Sequence, residues 1–121
     1  WNAFGSIVKT IDPDEHDRIY AAMSHLPHLI AYELVNAVAD IDRSYFTFSG
    51  QGFKDTTRIA SSHPELWRDI CLLNKDNLLE YVEIFKSNLD RGSQYLRAHD
   101  AESLERDFKK ARTLREALGQ N

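Results

Sequence analysis

Three histidines and a proline fall within one stretch of the chain whose apolar spacing predicts a helix. His25 and His28 stand one turn apart on the same helix face, and His16, nine residues before His25, is expected on nearly the same side. Pro27 removes a backbone donor and crowds the preceding turn, so a kink is expected near Ser24 or the residue before it, with a carbonyl left free for a side chain or a ligand. Imidazoles beside such an irregular turn suit a ligand pocket.

Two other interpretations of these histidines remain open. Paired imidazoles one turn apart can bind zinc, but the sequence has no His-Glu-x-x-His arrangement and lacks a carboxylate at the right offset, so no metal is predicted. Histidines can also be satisfied within a core by backbone carbonyls and packing. The spacing alone does not separate a pocket from a core.

Residues 49–57 form a second candidate, a polar segment with two glycines that predicts a loop leading into a short helix at 58–61. The start of a helix presents free N–H groups and the positive end of its dipole, so an anion is expected to bind beside Thr57 and Arg58. The guanidinium of Arg58 can hold a carboxylate through two hydrogen bonds. The alternative is that Asp55 caps the helix and Arg58 pairs with an acid at the surface.

Composition narrows the class of protein. A chain of 121 residues and 14.0 kDa has the size of one domain, and no segment approaches the apolar length of about 20 residues that a membrane span requires. The net charge of −4 argues against nucleic acid as a partner. The single cysteine, Cys71, cannot form an intrachain disulfide and lies in an apolar run, which indicates a reducing, cytoplasmic setting.

Helical periodicity dominates the chain and predicts an all-α protein, a bundle of about five to six helices. The first helix is long, is kinked at Pro27 and extends from about residue 14 to 40. Two further helices are predicted at 64–73 and 76–96, and Asp100 caps the last one. On the helix at 64–73, Trp67 shares a face with Asn74, and core packing is the simplest role for its indole.

The first residues have a different pattern. Residues 5–11 are rich in β-branched side chains and end at Asp12-Pro13, which predicts one short strand before the first helix. A single strand cannot make a sheet, so its partners are expected in a part of the protein that is missing here. We therefore expect a fragment in which residues 1–12 are a strand and linker and residues 13–121 are the helical domain.

Taken in order, the motifs resemble those of the prephenate and arogenate dehydrogenases of tyrosine biosynthesis. The motifs are His-Asp, then Ser-His-Leu-Pro-His after six intervening residues, then Gly-Phe-Lys-Asp-Thr-Thr-Arg-Ile-Ala, Ser-Ser-His-Pro-Glu-Leu-Trp and a downstream Asn74. The resemblance covers nearly the whole chain, and the opening Trp-Asn-Ala-Phe-Gly-Ser-Ile-Val is similar to the family's last strand before its helical domain.

The resemblance implies an NAD- or NADP-dependent oxidative decarboxylation of prephenate or arogenate. Arg58 would clamp a substrate carboxylate, and His25 and His28 would face the substrate. The positions with supporting or gating roles would be His16, Ser24, Lys54, Asp55, Thr57 and Trp67. The cofactor would be bound mainly by a nucleotide-binding domain, since no Gly-x-Gly-x-x-Gly fingerprint occurs in this sequence, and the fragment alone would be inactive.

The resemblance also implies a homodimer in which the helices of two chains interlock, and it makes tyrosine a candidate inhibitor. Two rivals remain: a non-catalytic helical dimer that senses an aromatic amino acid, and the helical domain of another β-hydroxyacid-type dehydrogenase. Fold analogy alone does not separate these possibilities, because function resides in the site.

Overall fold

The computed structural model describes residues 10–119, and this part of the chain is helical, which confirms the all-α prediction. It divides into two compact units, Ile11–Val82 and the part from Glu83 to residue 119, which are described separately. The α-helices are α1 (Pro13–Tyr20), α2 (Leu26–Ile41), α3 (Gln51–Thr57), α4 (Pro64–Leu73), α5 (Lys75–Arg97) and α6 (Ala101–Glu116). Residues 10–12 are neither helix nor strand, and the rest of the strand predicted at 5–11 lies outside the described residues.

The predicted first helix is present, and its irregularity lies where the proline requires one. Asp12 caps α1 by accepting a hydrogen bond from the amide of Glu15 at 2.9 Å, and a five-residue π-helical turn, Ala21–His25, joins α1 to α2. Because Pro27 has no amide hydrogen, the ladder of hydrogen bonds cannot continue unchanged through this turn. In this turn the carbonyl oxygen of Ser24 lies 2.8 Å from a side-chain nitrogen, His28 Nδ1.

The prediction of a loop at residues 49–57 is wrong from Gln51 onward, because α3 occupies Gln51–Thr57. Local side-chain bonds hold this short helix: Gln51 Nε2 donates to Asp55 at 2.8 Å, and the hydroxyl of Thr57 donates to the carbonyl of Phe53 at 2.7 Å. Glycine marks the start of the segment, since Gly50 is the extended N-cap residue. The prediction was wrong because glycine is common both in loops and at helix N-caps, so glycine content alone does not separate the two.

This correction changes the electrostatic interpretation of Arg58. Thr57 ends α3, and Arg58–Ser61 continues as a turn of 3₁₀-helix, so the segment lies at the negative end of the α3 dipole. The dipole of α3 therefore disfavours an anion beside Thr56, Thr57 and Arg58, where the sequence predicts one. The alternative cap is also wrong, since Asp55 lies inside α3 and accepts from Gln51.

Both α3 and the 3₁₀ turn after it contact α2. The hydroxyl of Tyr32 on α2 donates to the carbonyl of Ser62 at 2.8 Å, and this bond fixes the end of the 3₁₀ turn. Thr57 and Ala31 are buried in the same unit. α3 and the 3₁₀ turn that begins at Arg58 are thus attached to α2, the helix that carries His28.

The helices after Ser62 follow the prediction closely. Pro64 opens α4 and Asn74 is its C-cap residue, with φ −115° and ψ 32°, before α5 begins. In the second unit, Asp100 caps α6 by accepting from the amide of Ser103 at 3.1 Å and from its hydroxyl at 2.7 Å. These two bonds to Ser103 lower the pKa of Asp100. Arg91 on α5 pairs with Asp107 on α6 at 3.1 Å, across the turn that joins the two helices.

Little apolar surface is buried within one chain. Among the described residues, the buried hydrophobic side chains are Ala21, Ala31 and Leu78. Many large apolar side chains are exposed instead: Ile19, Met23, Ile41, Tyr45, Phe48, Leu66, Leu72, Leu73, Leu79, Ile84, Leu89, Leu96, Phe108, Leu114 and Leu118. None of the helices in residues 10–119 combines the length and the apolar character needed to cross a membrane.

Candidate functional site

The predicted site residues fall into two groups within the unit Ile11–Val82. The first, which we call the histidine cluster, gathers side chains from α1, the π-helical turn, α2 and α4. Its members are His16, Asp17, His25, His28, Trp67 and Asn74. The second group, which we call the Arg58 segment, is α3 with the 3₁₀ turn that follows it.

Trp67 is the centre of the histidine cluster. The imidazole of His28 stacks on its indole with ring centroids 3.4 Å apart and planes 12° apart, and the ring of His25 meets it edge-on at 6.2 Å and 71°. Trp67 is half-buried. The indole therefore serves as a packing surface for both histidines. Trp67 thus has the predicted packing role and is at the same time part of the candidate site.

Asn74 connects three parts of the cluster. Its Nδ2 atom lies 2.8 Å from the carbonyl oxygen of Asp17 and 3.2 Å from His25 Nδ1, while its Oδ1 accepts from Asn77 Nδ2 at 2.9 Å. Sequence reasoning placed Asn74 on the face of Trp67 and missed these bonds. No local signal identifies these bonds, because Asp17 and His25 lie 57 and 49 residues before Asn74 in the sequence.

The environment of His25 lowers its pKa. Burial against the neighbouring helices is the main cause, because the charged imidazolium loses hydration there. The positive charges that His28 and His16 can carry also lower this pKa, whereas the carboxylate of Asp17 partly opposes them. His25 is therefore biased toward the neutral form, in which one ring nitrogen donates a hydrogen bond and the other accepts one.

His16 lies at the exposed edge of the cluster. Its ring packs on Tyr20 with centroids 4.4 Å apart, and its Nδ1 lies 3.6 Å from a carboxylate oxygen of Asp17. Its side chain is 54% exposed and that of Asp17 is 59% exposed, so this pair adds little to stability. The predicted common side of the three histidines is wrong for His16, because nine residues make about two and a half turns of α-helix. The rings of His25 and His28 lie against Trp67, and His16 lies near solvent.

The Arg58 segment presents two cations. Lys54 and Arg58 are four residues apart and exposed, and within residues 10–119 neither forms an ion pair. Asp55, the acid nearest in sequence, is hydrogen-bonded to Gln51. Thr57 is buried with its hydroxyl bonded to a carbonyl, so its role is to hold the segment rather than to meet a ligand.

The two groups are connected through α2, and within residues 10–119 no side-chain hydrogen bond or ion pair joins them. α2 starts directly after His25, carries His28 in its first turn and packs against the Arg58 segment further along. A ligand that used both groups would therefore meet stacked aromatic rings at one part of α2 and two positive charges at another. In the part of the chain that the structure describes, no three His, Cys, Asp or Glu side chains are placed to hold a metal ion.

The chain matches a known protein family and is similar to known proteins. The family model described as "Prephenate dehydrogenase, dimerization domain" matches residues 12–110. The prephenate dehydrogenase of Bacillus subtilis is 40% identical over 111 residues, which is 89% of this chain and 30% of that protein.

Two solved structures are similar in fold as well as in sequence. The prephenate dehydrogenase of Aquifex aeolicus in complex with hydroxyphenyl propionate and NAD+ gives a TM-score of 0.85 at 34% identity, over 94% of this chain and 41% of that one. The arogenate dehydrogenase of Synechocystis gives a TM-score of 0.84 at 25% identity, over 93% of this chain and 42% of that one. The chain thus spans less than half the length of each of these relatives.

Proposed function

Because the chain belongs to the prephenate dehydrogenase dimerisation-domain family, we propose that it is the helical part of a longer enzyme that oxidatively decarboxylates prephenate or arogenate. The observation that carries this proposal is the family match over residues 12–110, which includes both the histidine cluster and the Arg58 segment. In the proposed division, residues 1–12 are a linker and residues 13–121 form the helical domain. A cytoplasmic location belongs to the same proposal.

In the proposed reaction, the substrate ring loses a hydride and carbon dioxide and becomes aromatic. NAD(P)+ supplies the chemistry of accepting the hydride. The sequence of this chain contains no Gly-x-Gly-x-x-Gly fingerprint, so the dinucleotide would be held mainly by a nucleotide-binding domain outside this chain. The contribution of this chain is to bind and orient the substrate.

Arg58 is the residue that we assign to a substrate carboxylate. Its guanidinium is exposed and has no ion-pair partner among the described residues, so binding a carboxylate would not require breaking an existing pair. Lys54 adds a second positive charge one turn away. Both support a substrate that carries negative charge, and the fork of Arg58 gives a direction to the contact that an ammonium cannot.

His25 and His28 are the residues that we assign to the neighbourhood of the substrate ring. Trp67 holds both imidazoles, and the stack leaves fewer orientations open to them. The remaining supporting residues act through these: Ser24 offers its carbonyl to His28, Thr57 and Asp55 hold α3, and His16 borders the cluster.

We also propose that the enzyme is a homodimer formed through this chain. Within residues 10–119, exposed large apolar side chains greatly outnumber buried ones, and these residues bury too little apolar surface for the core that a stable domain requires. A second copy would cover apolar faces such as those around Phe48 and Leu73, which are 83% and 90% exposed. The family's description as a dimerisation domain supports this assembly.

The test is formation of NAD(P)H by the full-length protein with prephenate and, in parallel, with arogenate. Arg58→Ala should lose most of its activity through a raised KM, whereas Arg43→Ala, another exposed arginine, should keep it. Added tyrosine should raise the apparent KM if the end product inhibits. Absence of turnover with both substrates would contradict the proposed function, and equal activity of Arg58→Ala and the unchanged enzyme would contradict the role of Arg58.

A further inference from the structure

We propose that Asn74 is a positioning residue that holds His25 in the tautomer with its proton on Nε2, so that His25 offers a hydrogen-bond donor to an oxygen atom of the ligand. The tautomer follows from contacts within this chain. The identity of the ligand rests on the proposed function, in which the oxygen belongs to a carboxylate or carbonyl of the substrate.

The orientation of the Asn74 amide is fixed by the backbone of α1. The carbonyl oxygen of Asp17 can only accept, so the amide atom 2.8 Å from it must be nitrogen. The amide oxygen lies at the other end, where Asn77 Nδ2 donates to it at 2.9 Å. Rotating the amide by half a turn would set oxygen against oxygen at Asp17 and hydrogen against hydrogen at Asn77.

The same Asn74 nitrogen determines which nitrogen of His25 carries the proton. It lies 3.2 Å from His25 Nδ1, and it has a second hydrogen to donate there. An N–H group cannot accept a hydrogen bond, so Nδ1 has to be the acceptor, and the proton of the neutral ring has to be on Nε2. An imidazolium would place two N–H groups against each other, which agrees with the lowered pKa of His25.

The proton on Nε2 is available to a ligand. No side chain or carbonyl among residues 10–119 accepts a hydrogen bond from His25 Nε2. In the same residues, every buried side-chain nitrogen or oxygen atom has a hydrogen-bond partner. Because Nε2 has no partner among these residues and yet is not a buried unpartnered atom, it is reached by solvent, and a ligand oxygen can replace that solvent.

His28 is held in the opposite state by the same kind of argument. Its Nδ1 lies 2.8 Å from the carbonyl oxygen of Ser24, which can only accept, so Nδ1 carries a proton and Nε2 of the neutral ring is an acceptor. Two histidines one turn apart thus present a donor and an acceptor. The contact of His28 does not involve Asn74, which makes His28 an internal reference.

The groups that can change the charge of His25 come from α1 and α2. Asp17 and His16 on α1 and His28 on α2 act on its charged form, whereas α4 contributes Trp67 and Asn74, which do not titrate in this range. Replacing Asn74 by aspartate would add a carboxylate at the position of a donor. The proton on His25 should then move to Nδ1.

The experiment is nitrogen NMR of the full-length protein labelled with ¹⁵N-histidine at neutral pH, with the His25 signals assigned by their loss in His25→Gln. In the unchanged protein, His25 Nδ1 should resonate as an unprotonated nitrogen and His28 Nδ1 as a protonated one. Asn74→Asp should move His25 Nδ1 to the protonated position and leave His28 in place. Asn36→Asp, which makes the same exchange at an exposed amide bonded only to Glu33, should change neither.

The spectrum of the unchanged protein suffices to overturn the proposal, even if Asn74→Asp does not fold: a protonated Nδ1 on neutral His25 contradicts it. An unshifted His25 in folded Asn74→Asp also contradicts it. In the activity assay, Asn74→Asp should raise KM about 10- to 100-fold, as expected for one lost hydrogen bond to a charged ligand group, with a smaller change in kcat.

The two proposals fail separately. Expected NMR signals in a protein that turns over neither substrate would contradict the dehydrogenase function and leave the tautomer of His25 supported. Normal turnover with a protonated His25 Nδ1 would contradict only the role of Asn74.

Discussion

The imidazole of His28 lies flat on the indole of Trp67, with ring centroids 3.4 Å apart and planes inclined by 12°. This stack joins the first turn of α2 to the first half of α4, which are distant in sequence. It also holds the ring whose Nδ1 donates a hydrogen bond to the carbonyl oxygen of Ser24. One contact therefore links the packing of α4 to the orientation of a candidate substrate-binding group.

The stack should be measurable as a coupling between the two side chains. In a double-mutant cycle with Trp67→Leu and His28→Leu, we expect a coupling free energy of about 0.5–1.5 kcal/mol beyond the sum of the single effects. Urea unfolding at fixed protein concentration provides the measurement. Trp67→Leu combined with Phe46→Leu, whose ring packs on Phe53 instead, should be additive within about 0.5 kcal/mol. If the effects of Trp67→Leu and His28→Leu were additive, the stack would contribute no coupling free energy.

Arg58→Lys keeps the charge and removes the fork. Because an ammonium cannot form two parallel hydrogen bonds to a carboxylate, the full-length enzyme should show KM raised by about tenfold with kcat less affected. Its thermal midpoint should stay unchanged, since Arg58 is exposed and forms no ion pair within residues 10–119. The matched control is Arg43→Lys, which should keep the original KM. A KM equal to that of the unchanged enzyme would remove Arg58 from the site.

The positions of the helices could be predicted from the sequence because the residues that start a helix act locally. Asp12 with Pro13, Pro64 and Asp100 mark three helix starts, and each one appears in the structure where the pattern predicts it. The irregular turn before Pro27 was predictable for the same reason, since a missing amide hydrogen acts within one turn. The error at α3 had a local cause too, because Gly50 and Gly52 are compatible with both a loop and a capped helix.

Only part of the candidate site could be predicted from the sequence. Helical spacing placed His25 and His28 on one face, but it contains no information about which nitrogen meets which partner. The bonds of Asn74 to Asp17 and His25 join residues far apart in sequence, so only the packing of α4 against the turn after α1 creates them. The exposed position of His16 has a different origin, since nine residues make about two and a half turns and place His16 away from the face of His25 on a regular helix.

Leu73→Asp tests the proposed dimer. Leu73 is 90% exposed in the single chain, so an aspartate there should cost little if the protein is a monomer, but it should disrupt an apolar interface. We expect the full-length protein to sediment as a dimer and Leu73→Asp to shift toward the monomer. Asn36→Asp adds the same charge at an exposed polar position and should remain dimeric. A monomeric unchanged protein would contradict the assembly, and a dimeric Leu73→Asp would exclude Leu73 from the interface.

The lowered pKa of His25 makes stability depend on pH in a defined direction. Its ordinary value is 6.5 and the folded value is lower, so between the two the unfolded chain binds more protons than the folded one. The free energy of unfolding should therefore rise as pH increases through that window and level off above pH 6.5. His25→Gln should flatten this slope in urea unfolding curves recorded at fixed protein concentration. His63→Gln, at an exposed N-cap position without a side-chain bond to the helix, should leave it as it was. A slope of opposite sign, or one that persists in His25→Gln, would show that burial of His25 is not its source.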